Sequence, residues 1–433
     1  MKKHSKMEKT KPTEKSIENN SDSSQIIQDI MNDYNNLEKK SQSDKIDISN
    51  WQTLENTVLC KAFNNYIPGK KKLLSFDLDD TLISFTKSGK SKSPNKTKES
   101  PSYNFTFDIN KVKAKLDEYQ KNDYIFAIFS NQNGITQGHI KESDFKNKID
   151  FLFTQDLKYP IITFFAKEKD YYRKPCIGML DLFQKKFNDN VVLDINECIY
   201  VGDAAGRKKS KTYKKNDFSN SDYKFALNAE FKFFTPEEFF LNEKSDYPTI
   251  KNTLHDYDKN NNDHIKYDIT KDNKEAIIFI GSPGSGKSTF CENNLTSKGY
   301  VRINQDTLKT REKVIKCLEE NLKEGKKVVI DSTNPEKKGR ETYIKICKKY
   351  GYYVRAFNFI MSKDLAMHLN NLRAINKKRK HFSGYVNAIP IHTFFKNYEE
   401  PNKTEGFNEI VKVNFIPGPF ENEEDKKIFY YLS

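Results

Sequence analysis

Short apolar runs recur along most of this chain, and each one ends in polar or charged residues. Helical segments separate these runs, which is typical of parallel sheets covered on both faces. In such sheets ligands bind at the carboxyl ends of strands, so the residues that follow each run are the candidates for chemistry. The seven predicted strands lie at 71–79, 124–130, 161–166, 198–203, 276–281, 327–332 and 353–359.

The length and the polar stretches divide the chain. Its 433 residues exceed one ordinary core, so two or three domains are expected. We predict two doubly wound α/β domains with parallel sheets, over residues 51–246 and 273–433, joined by a polar linker at 247–272. Residues 1–50 are rich in Ser, Asn and charged residues and are predicted to be a disordered tail. A second polar stretch, 87–100, is predicted to be a loop.

Composition excludes several classes of protein. The chain has no run of about 18 apolar residues, so we expect no membrane-spanning helix. Its N-terminus has charge but no apolar segment behind it, which argues against a signal peptide. The 6 cysteines form no Cys-x-x-Cys pair. A structural zinc site is therefore not indicated, and a reducing, intracellular compartment fits best.

The excess of basic residues lies within the second half of the chain. The formal net charge is +14, although residues 1–50 hold 9 basic and 9 acidic residues. Residues 301–400 alone hold 22 basic and 11 acidic residues. Because this excess falls inside a predicted folded domain, it indicates a polyanionic partner rather than a basic tail.

The first candidate site follows the first apolar run. Asp77 and Asp79 leave this strand two residues apart, so both carboxylates should point into the cleft above the sheet. Asp77 can attack phosphorus and form an aspartyl-phosphate, and Asp79 can protonate the leaving oxygen and later activate water. Both would help to hold Mg²⁺. An acidic turn that only caps the strand is the alternative.

Three later features favour the chemical interpretation. Ser130 ends the second run with a hydroxyl, Lys174 can neutralise phosphate charge, and Asp203 offers another carboxylate for Mg²⁺. Nucleophile, hydroxyl, lysine and metal carboxylate follow one another in an order that resembles the haloacid dehalogenase superfamily. The order and the placement at strand ends together are specific, whereas any one of these residues alone is not.

A phosphate-binding loop follows the fifth run. The sequence GSPGSGKST matches GxxxxGK[ST] between a strand and a helix, the setting that this motif requires. Its backbone amides approach the phosphates, its lysine reaches the β- and γ-phosphates, and the serine after it binds Mg²⁺. The predicted ATP-binding residues are Gly281, Ser282, Pro283, Gly284, Ser285, Gly286, Lys287, Ser288 and Thr289.

Polar residues beyond this loop favour a kinase over a motor or a switch. Asp306 can accept a proton from an attacking hydroxyl, although capping the helix that follows would also explain it. Asp331 ends the sixth run, where it can touch metal or position substrate. Arg373 lies in a segment that can close over the transferring phosphate as a lid, and a solvated basic helix is the alternative.

Together these motifs resemble those of the polynucleotide kinase 3′-phosphatase family over about residues 51–433. The combination of VGDAAGR with a downstream DFSxxD is specific to this family and is not found in the general dehalogenase pattern. The phosphatase half is similar in FDLDDTLI (76–83), FSNQNGI (129–135), YRKPCIGM (172–179), YVGDAAGR (200–207), DFSNSD (217–222) and TPEEFF (235–240). The kinase half is similar in GSPGSGKSTF (281–290), NQDTL (304–308), VVIDSTNP (328–335) and EGF (405–407).

The resemblance implies a haloacid-dehalogenase-like phosphatase followed by a P-loop kinase. One activity removes 3′-phosphate from a strand end, and the other transfers the γ-phosphate of ATP to a 5′-hydroxyl, with Mg²⁺ as cofactor. Asp222 matches a further acidic position of the family. The implied roles are catalysis by Asp77, Asp79, Asp306 and Arg373, phosphate binding by Ser130 and Lys174, and Mg²⁺ binding by Asp77, Asp79, Asp203 and Ser288.

The chain departs from the family's pattern in three places. Asp80 stands where glycine is usual, and Asn371 replaces an arginine expected in the lid, which leaves more of that role to Arg373. Animal members carry an N-terminal forkhead-associated domain that binds phosphorylated scaffold proteins. Residues 1–50 are too short and too polar for such a domain, so recruitment by that route is not expected.

Two basic clusters have more than one interpretation. The first can grip a nucleic-acid backbone beside the Asp203 motif or form a solvated loop, and it consists of Arg207, Lys208, Lys209, Lys211, Lys214 and Lys215. The second, Lys377–Lys380, can contact substrate, act as a nuclear localisation patch, or end a solvated helix.

We therefore expect a monomeric enzyme that heals DNA ends bearing 3′-phosphate and 5′-hydroxyl groups in strand-break repair. RNA or tRNA end repair uses the same two reactions and is the alternative. A binding scaffold with decayed sites is disfavoured because every expected catalytic residue is present, and the basic excess argues against a metabolite kinase fused to a phosphatase. A nuclear location is expected, or a cytoplasmic one for a prokaryotic or cytoplasmic viral source.

Overall fold

The computed structural model describes residues 46–84, 103–210, 213, 215–262, 268–271, 274–375, 388–418 and 420–433. Most of the predicted tail, the polar loop at 87–100 and the cluster Lys377–Lys380 lie outside these described residues. Within them, no helix is both long and apolar enough to cross a membrane. Residues 51–433 belong to one unit, which contains both of the large sheets.

The first half of the unit is built around a mixed sheet. Its strands are β1 (Gln52–Leu54), β2 (Val58–Phe63), β3 (Lys72–Phe76), β4 (Ile83–Ser84), β5 (Asn104–Phe105), β6 (Tyr124–Asn131), β7 (Ile161–Ala166), β8 (Ile199–Val201) and β9 (Lys232–Phe234). Among the described residues the order is β1-β2-β7-β6-β3-β8-β9, with β4 and β5 in a separate hairpin. From β7 to β9 the neighbours are parallel, whereas β1 and β2 form an antiparallel edge.

Helices connect these strands. They are α1 (Ile109–Lys121), α2 (Asn133–Thr136), α3 (Glu142–Phe151), α4 (Gly178–Leu182), α5 (Ser221–Ala229) and α6 (Pro236–Leu241). Wider π-type turns extend α3 over Leu152–Asp156 and α4 over Phe183–Phe187, and a 3₁₀ turn covers Ile195–Glu197.

Helix α6 explains the TPEEFF motif by folding rather than by chemistry. The hydroxyl of Thr235 accepts from the Glu238 amide, the Glu238 carboxylate accepts from the Thr235 amide, and Pro236 opens the helix. This capping box satisfies two backbone donors and fixes the start of the helix. The two phenylalanines of the motif pack against Phe76, so α6 supports the end of β3, directly before Asp77.

The second half of the unit is built around a parallel sheet. Its strands are β10 (Glu275–Ile280), β11 (Val301–Asn304), β12 (Val328–Asp331), β13 (Tyr353–Ile360) and β14 (Glu409–Asn414), in the described order β11-β12-β10-β13-β14. Its helices are α7 (Lys287–Asn294), α8 (Gln305–Leu308), α9 (Arg311–Lys323), α10 (Lys337–Lys349), α11 (Lys363–Ile375), α12 (Ala388–Asn397) and α13 (Glu423–Phe429). Short 3₁₀ stretches cover Leu254–Asn262, Thr296–Lys298 and Lys403–Glu405.

Strand β10 shows why its apolar run is continuous. Ala276, Ile278 and Ile280 pack into one core cluster, whereas Ile277 and Phe279 pack into another on the opposite face. Successive side chains of a strand point to opposite faces. A strand covered by helices on both sides therefore needs apolar residues at every position.

The predicted strands are confirmed, and the missed ones have identifiable causes. Each of the seven apolar runs contains a strand in the described structure. Strands β1, β2, β4, β5, β9, β11 and β14 were not predicted. Strand β14 alternates exposed and buried residues along part of its length, and β2 contains Lys61, so neither has a continuous apolar run. The antiparallel edge of β1 and β2 is the departure from a purely parallel first sheet.

Two arginine–glutamate pairs are fully buried in the second half. Arg340 of α10 donates two hydrogen bonds to Glu405, at 2.7 and 2.8 Å, and neither side chain is exposed. Arg355 of β13 pairs with Glu275 of β10 at 2.8 Å. A buried charge is stable only with a partner. The glutamate of the EGF motif at 405–407 therefore has a structural explanation.

Residues 429–433 bind the first half of the unit through helix α5. The side-chain amide of Asn228 donates to the Leu432 carbonyl at 2.9 Å and accepts from the Leu432 amide at 2.8 Å. Lys224, one turn earlier, donates to the carbonyl oxygen of Ser433 at 2.6 Å. Helix α5 thus pairs with backbone groups that lie two hundred residues away in the chain.

The same residues 429–433 bind helix α11 through His368. Its Nε2 lies 2.8 Å from the Phe429 carbonyl and its Nδ1 lies 2.7 Å from the Ser433 hydroxyl. Since a carbonyl only accepts, Nε2 carries the proton and Nδ1 accepts from the serine. A neutral imidazole therefore satisfies both contacts.

The described part of the predicted linker contains a regular stretch of structure. Its 3₁₀ stretch, Leu254–Asn262, begins with a buried leucine. The ring of His255 stacks on Tyr430 at 4.1 Å between centroids. Within the described part of the linker, the buried Leu254 and the stacked His255 therefore hold this stretch against the rest of the unit.

Loss of one partner from the Arg340–Glu405 pair should be strongly destabilising. Arg340→Ala would leave a buried carboxylate unpaired, and we expect the free energy of unfolding to fall by about 3–5 kcal/mol. The matched control is Lys412→Ala, since Lys412 pairs with Glu400 in solvent, where a pair contributes at most about 1 kcal/mol. Urea unfolding measures both, and equal losses would contradict this interpretation.

Lowering the pH should reduce the stability of the folded protein through His368. Burial lowers the pKa of His368 from 6.5 to about 4, so the unfolded chain takes up a proton that the folded protein does not. His368 therefore has no effect on the free energy of unfolding above about pH 6.5. As the pH drops toward 4, it lowers the free energy of unfolding by about 3 kcal/mol in total. Urea unfolding between these pH values should show a weaker dependence for His368→Asn, and an unchanged dependence would exclude His368 as its source.

Candidate active sites

The first group of predicted site residues meets at the carboxyl edge of the first sheet. Asp77 directly follows β3, and its amide donates to the Val201 carbonyl of β8 at 2.9 Å. Ser130 lies at the end of β6 and is 1% exposed. Asp203 follows β8 by two residues, and its amide donates to the Thr81 hydroxyl at 3.1 Å. The residues that the sequence placed at separate strand ends thus share one cleft.

Lys174 lies at the centre of this cleft. Its Nζ is 2.6 Å from Asp77 Oδ1, 2.7 Å from Asp222 Oδ1 and 2.7 Å from the Tyr200 hydroxyl. Burial alone would lower the pKa of Lys174, but the charges of Asp222 and Asp77 outweigh burial and hold the pKa above its usual value. The lysine therefore stays charged between two carboxylates.

Three carboxylates form a group that suits a divalent cation. Oxygens of Asp77, Asp203 and Asp222 lie within 4.8 Å of one another. Burial and then the charges of Asp222 and Asp77 raise the pKa of Asp203 to about 9. A side chain at Gly202 would come within 2.6 Å of the Asp222 side chain, so glycine permits this approach. Asp222, which the sequence placed only by family resemblance, is thus part of the cleft.

Asp79 lies apart from that group of three carboxylates. Its Oδ2 accepts from Gln132 Nε2 at 2.6 Å, and its buried Oδ1 has no hydrogen-bond partner among the described residues. Burial raises the pKa of Asp79 to about 6. A carboxyl group with such a pKa can give and take a proton near neutral pH.

Backbone geometry explains the usual glycine beside Asp79. Asp80 has a φ of 55°, a left-handed conformation that glycine adopts without cost and that aspartate tolerates better than most residues. Its amide donates to the Ile83 carbonyl at 2.7 Å. The departure at Asp80 therefore preserves the turn that carries Asp77 and Asp79.

Arg207 has a structural role, so the substrate-gripping interpretation is wrong for this residue. Its guanidinium is 3% exposed, pairs with Asp217 at 3.0 Å and Glu237 at 2.8 Å, and donates to the Asp203 carbonyl. The arginine of VGDAAGR therefore ties the Asp203 loop to the aspartate of DFSNSD. Lys208, Lys209 and Lys215 are exposed, whereas the lysines at 211 and 214 lie outside the described residues.

Three residues of this cleft were missed in the sequence. Asn131 accepts from the Lys174 amide at 2.9 Å and donates to the Lys174 carbonyl at 3.1 Å. Gln132 contacts Asp79, and Tyr200 contacts Lys174. The motif SNQ at a strand end was a usable signal for Asn131 and Gln132. For Tyr200 the signal was weaker, because a tyrosine in an apolar strand usually belongs to the core.

The second predicted site forms at the carboxyl end of β10. Gly284 and Gly286 have φ values of 87° and 83°, which the loop can adopt because these residues lack a side chain. Lys287 Nζ donates to the carbonyls of Gly281 and Ser282 at 2.9 and 2.8 Å. Burial lowers the pKa of Lys287 to about 8. Carbonyls of the loop therefore surround the ammonium group of its own lysine. Ser285 and Thr289 lie two residues before and two residues after this lysine in the sequence.

Asp331 collects hydrogen bonds from the neighbouring strands and helix. It ends β12 and is 3% exposed. Its Oδ2 accepts from Ser288 Oγ at 3.0 Å, from Asn304 Nδ2 at 3.1 Å and from Arg302 Nη2 at 2.6 Å. The serine and the aspartate predicted to serve Mg²⁺ are thus in direct contact, and Arg302 is an additional partner that the sequence did not indicate.

The capping alternative for Asp306 is wrong. Helix α8 begins after Asn304, and the Asn304 side chain accepts from the Thr307 amide at 2.9 Å. Asp306 lies in the first turn with its side chain exposed. Since another residue performs the capping, Asp306 is available as the base that its position suggests.

Arg373 lies against the phosphate-binding loop, as the lid interpretation requires. Its Nη2 is 4.0 Å from the position that a Cβ on Gly284 would take. Burial lowers the pKa of Arg373, which argues against a fully solvated basic helix. Asn371 shares helix α11 and is partly buried.

Comparisons with known proteins cover both halves of the chain. The family "Polynucleotide kinase 3 phosphatase" matches residues 72–240, and the family "AAA domain" matches residues 277–385. The bifunctional polynucleotide phosphatase/kinase of Schizosaccharomyces pombe is 36% identical over 348 residues, which is 80% of each chain. A relative from Acanthamoeba polyphaga mimivirus, named for the same two activities, is 36% identical over 79% of this chain and 85% of its own.

Both halves of the chain are thus covered by relatives of one kind. The first sheet corresponds to the phosphatase family and the second to the P-loop family. The chain belongs to the family of bifunctional polynucleotide phosphatase/kinases.

Proposed function

We propose that this protein heals DNA ends by removing 3′-phosphate and by phosphorylating 5′-hydroxyl groups. The observation that carries this proposal is the pairing of two phosphate-handling clefts on one chain. One holds Asp77 beside a buried lysine at 2.6 Å, and the other holds Lys287 in a glycine-rich loop. We assign residues 51–246 to the phosphatase and residues 273–433 to the kinase.

In the phosphatase, Asp77 acts as the nucleophile. Its carboxylate oxygen attacks the 3′-phosphorus, the bond from phosphorus to the 3′-oxygen breaks, and Asp79 gives its proton to that oxygen. Water then attacks the aspartyl-phosphate, Asp79 takes a proton from the water, and inorganic phosphate leaves. Lys174 and Ser130 bind the oxygens of the phosphoryl group during both steps. The pKa of Asp79, raised to about 6 by burial, supports this exchange of a proton.

The donor set fits Mg²⁺ in both clefts. Three carboxylates within 4.8 Å and a raised pKa at Asp203 indicate negative charge that a divalent cation would neutralise. Asp77, Asp203 and Asp222 would hold it in the phosphatase, whereas Asp79, predicted from the sequence as a further ligand, lies outside this group of three. Ser288 and Asp331 would hold it in the kinase. Bound there, Mg²⁺ supplies electrostatic stabilisation of phosphoryl oxygens.

In the kinase, Asp306 accepts the proton of the 5′-hydroxyl. The 5′-oxygen attacks the γ-phosphorus of ATP, the bond to the β-phosphate oxygen breaks, and ADP leaves. Lys287 and Arg373 stabilise the charge on the transferring group. Lys287 must exchange its present carbonyl partners for phosphate oxygens, which its three N–H donors permit.

The basic excess supports a nucleic-acid substrate. The segment 301–400, with 22 basic and 11 acidic residues, contains Asp306, Asp331 and Arg373. Positive charge around a 5′-end site favours association with a phosphate backbone. We assign the enzyme to DNA strand-break repair as a monomer, in the nucleus, or in the cytoplasm for a prokaryotic or cytoplasmic viral source.

Two substitutions should separate the activities. On a nicked duplex with 3′-phosphate and 5′-hydroxyl ends, Asp77→Asn should lower 3′-phosphate removal at least about 10³-fold, because the nucleophile is lost. Lys287→Ala should lower 5′-phosphorylation at least about 10²-fold. Each variant is the folding control for the other, since each should keep the second activity. Loss of both activities in one variant, or of neither, would contradict the assignment.

The identity of the sugar is tested with matched DNA and RNA ends. We expect a higher kcat/KM on DNA in both reactions and a fall in affinity as salt rises, because phosphate contacts release counterions. Labelled oligonucleotides of one sequence in both chemistries measure this. A higher kcat/KM on RNA would instead assign the enzyme to RNA end repair, where the 2′-hydroxyl distinguishes the substrates.

A further inference from the structure

The ammonium group of Lys174 is saturated with partners. Its Nζ contacts Asp77 at 2.6 Å, Asp222 at 2.7 Å and the Tyr200 hydroxyl at 2.7 Å. An ammonium has three N–H donors, and its side chain is 2% exposed. Tyr200 is the neutral partner among these three.

The orientation of the Tyr200 hydroxyl follows from its neighbours. Its oxygen lies 3.0 Å from the Phe129 carbonyl and 3.3 Å from Asp222 Oδ1, and both of these atoms accept. The single proton of the hydroxyl therefore points to one of them, which leaves its lone pairs for Lys174. The ring packs against Phe225 with centroids 4.7 Å apart, so the hydroxyl is held in place by packing.

The three partners of Lys174 differ in the other contacts that they must make when substrate and cation bind. Asp77 and Asp222 belong to the carboxylate group that suits a cation, and Asp77 must also reach phosphorus. Both carboxylates therefore serve other groups besides Lys174 when substrate and cation bind. The Tyr200 hydroxyl carries no charge and lies in a buried strand, so it can keep its contact with Lys174 throughout.

We propose that Tyr200 is a positioning residue of the phosphatase, whose hydroxyl holds Lys174 Nζ toward the transferring phosphoryl group. This inference rests on the proposed role of Lys174 in binding phosphate. Asn131 fixes the backbone of Lys174 through both its amide and its carbonyl, and Tyr200 fixes the other end of the side chain. The lysine is then oriented before substrate arrives.

The substitution that tests this proposal is Tyr200→Phe, which keeps the ring and removes the oxygen. A hydrogen bond to a charged group contributes about 1.5–3 kcal/mol, so kcat for 3′-phosphate removal should fall about 10- to 100-fold. KM for the 3′-phosphate end should change less than about threefold, because the contact matters most as phosphoryl charge develops. The kinase activity of the same chain should be unchanged.

Two controls separate positioning from structural support. Tyr124→Phe removes a hydroxyl from β6 that contacts Glu197, away from the cleft, and should leave kcat unchanged. Phe225→Leu loosens the packing of the Tyr200 ring without removing its hydroxyl, and should lower kcat less than Tyr200→Phe does. An equal loss in Phe225→Leu, an unchanged kcat in Tyr200→Phe, or a parallel loss of kinase activity would each overturn the proposal.

A double-mutant cycle tests whether Tyr200 acts through Lys174. Lys174→Ala should lower kcat strongly under single-turnover conditions, and Tyr200→Phe should add little to that loss. Additive effects would overturn the positioning role. If Lys174→Ala leaves phosphatase activity intact, the proposed phosphate-binding role of Lys174 fails. If only Tyr200→Phe is silent, that role stands and the inference alone fails.

Discussion

Charges buried at the edge of an apolar sheet need partners, and this requirement organises both halves of the protein. A charge without a partner costs several kcal/mol in such surroundings. Lys174 is paired with two aspartates, and Arg207 is paired with Asp217 and Glu237. The family motifs therefore serve two purposes, since some residues perform chemistry and others neutralise the charges that chemistry brings into the core.

The two clefts solve the same problem in similar ways. In each, the lysine predicted to bind phosphate is bonded to groups of its own site: Lys174 to carboxylates, and Lys287 to loop carbonyls. Neither lysine is left exposed before substrate binds. A phosphate that binds as predicted would have to replace some of these partners, which favours ligands with strong negative charge over weaker acceptors.

The sequence predicted the positions that depend on strand ends and failed where orientation depends on tertiary packing. Asp77, Asp203 and the loop around Lys287 were identified because short apolar runs indicate where a parallel sheet ends. Arg207 was grouped with exposed lysines because a run of basic residues in a sequence does not show which of their side chains is buried. Tyr200 gave no separate signal, since its neighbours in β8 are apolar and only the fold brings Lys174 to its hydroxyl.

The success of the sequence prediction also differed between central and edge strands. Strand β10 has a continuous apolar run because helices cover both of its faces. Strand β14 lies at the edge of the same sheet and alternates exposed and buried residues. Sequence patterns therefore identify central strands better than edge strands, and β1, β9 and β11, which also lie at sheet edges, were missed as well.

The contacts of residues 429–433 bear on how far the two enzymes are separable. Asn228 satisfies both backbone groups of Leu432, and His368 binds the same segment from helix α11. A gene that kept only the first half would leave the Asn228 side-chain amide with the Pro175 carbonyl and water in place of Leu432. The junction between the two halves therefore depends on the last turn of helix α5 as well as on the linker.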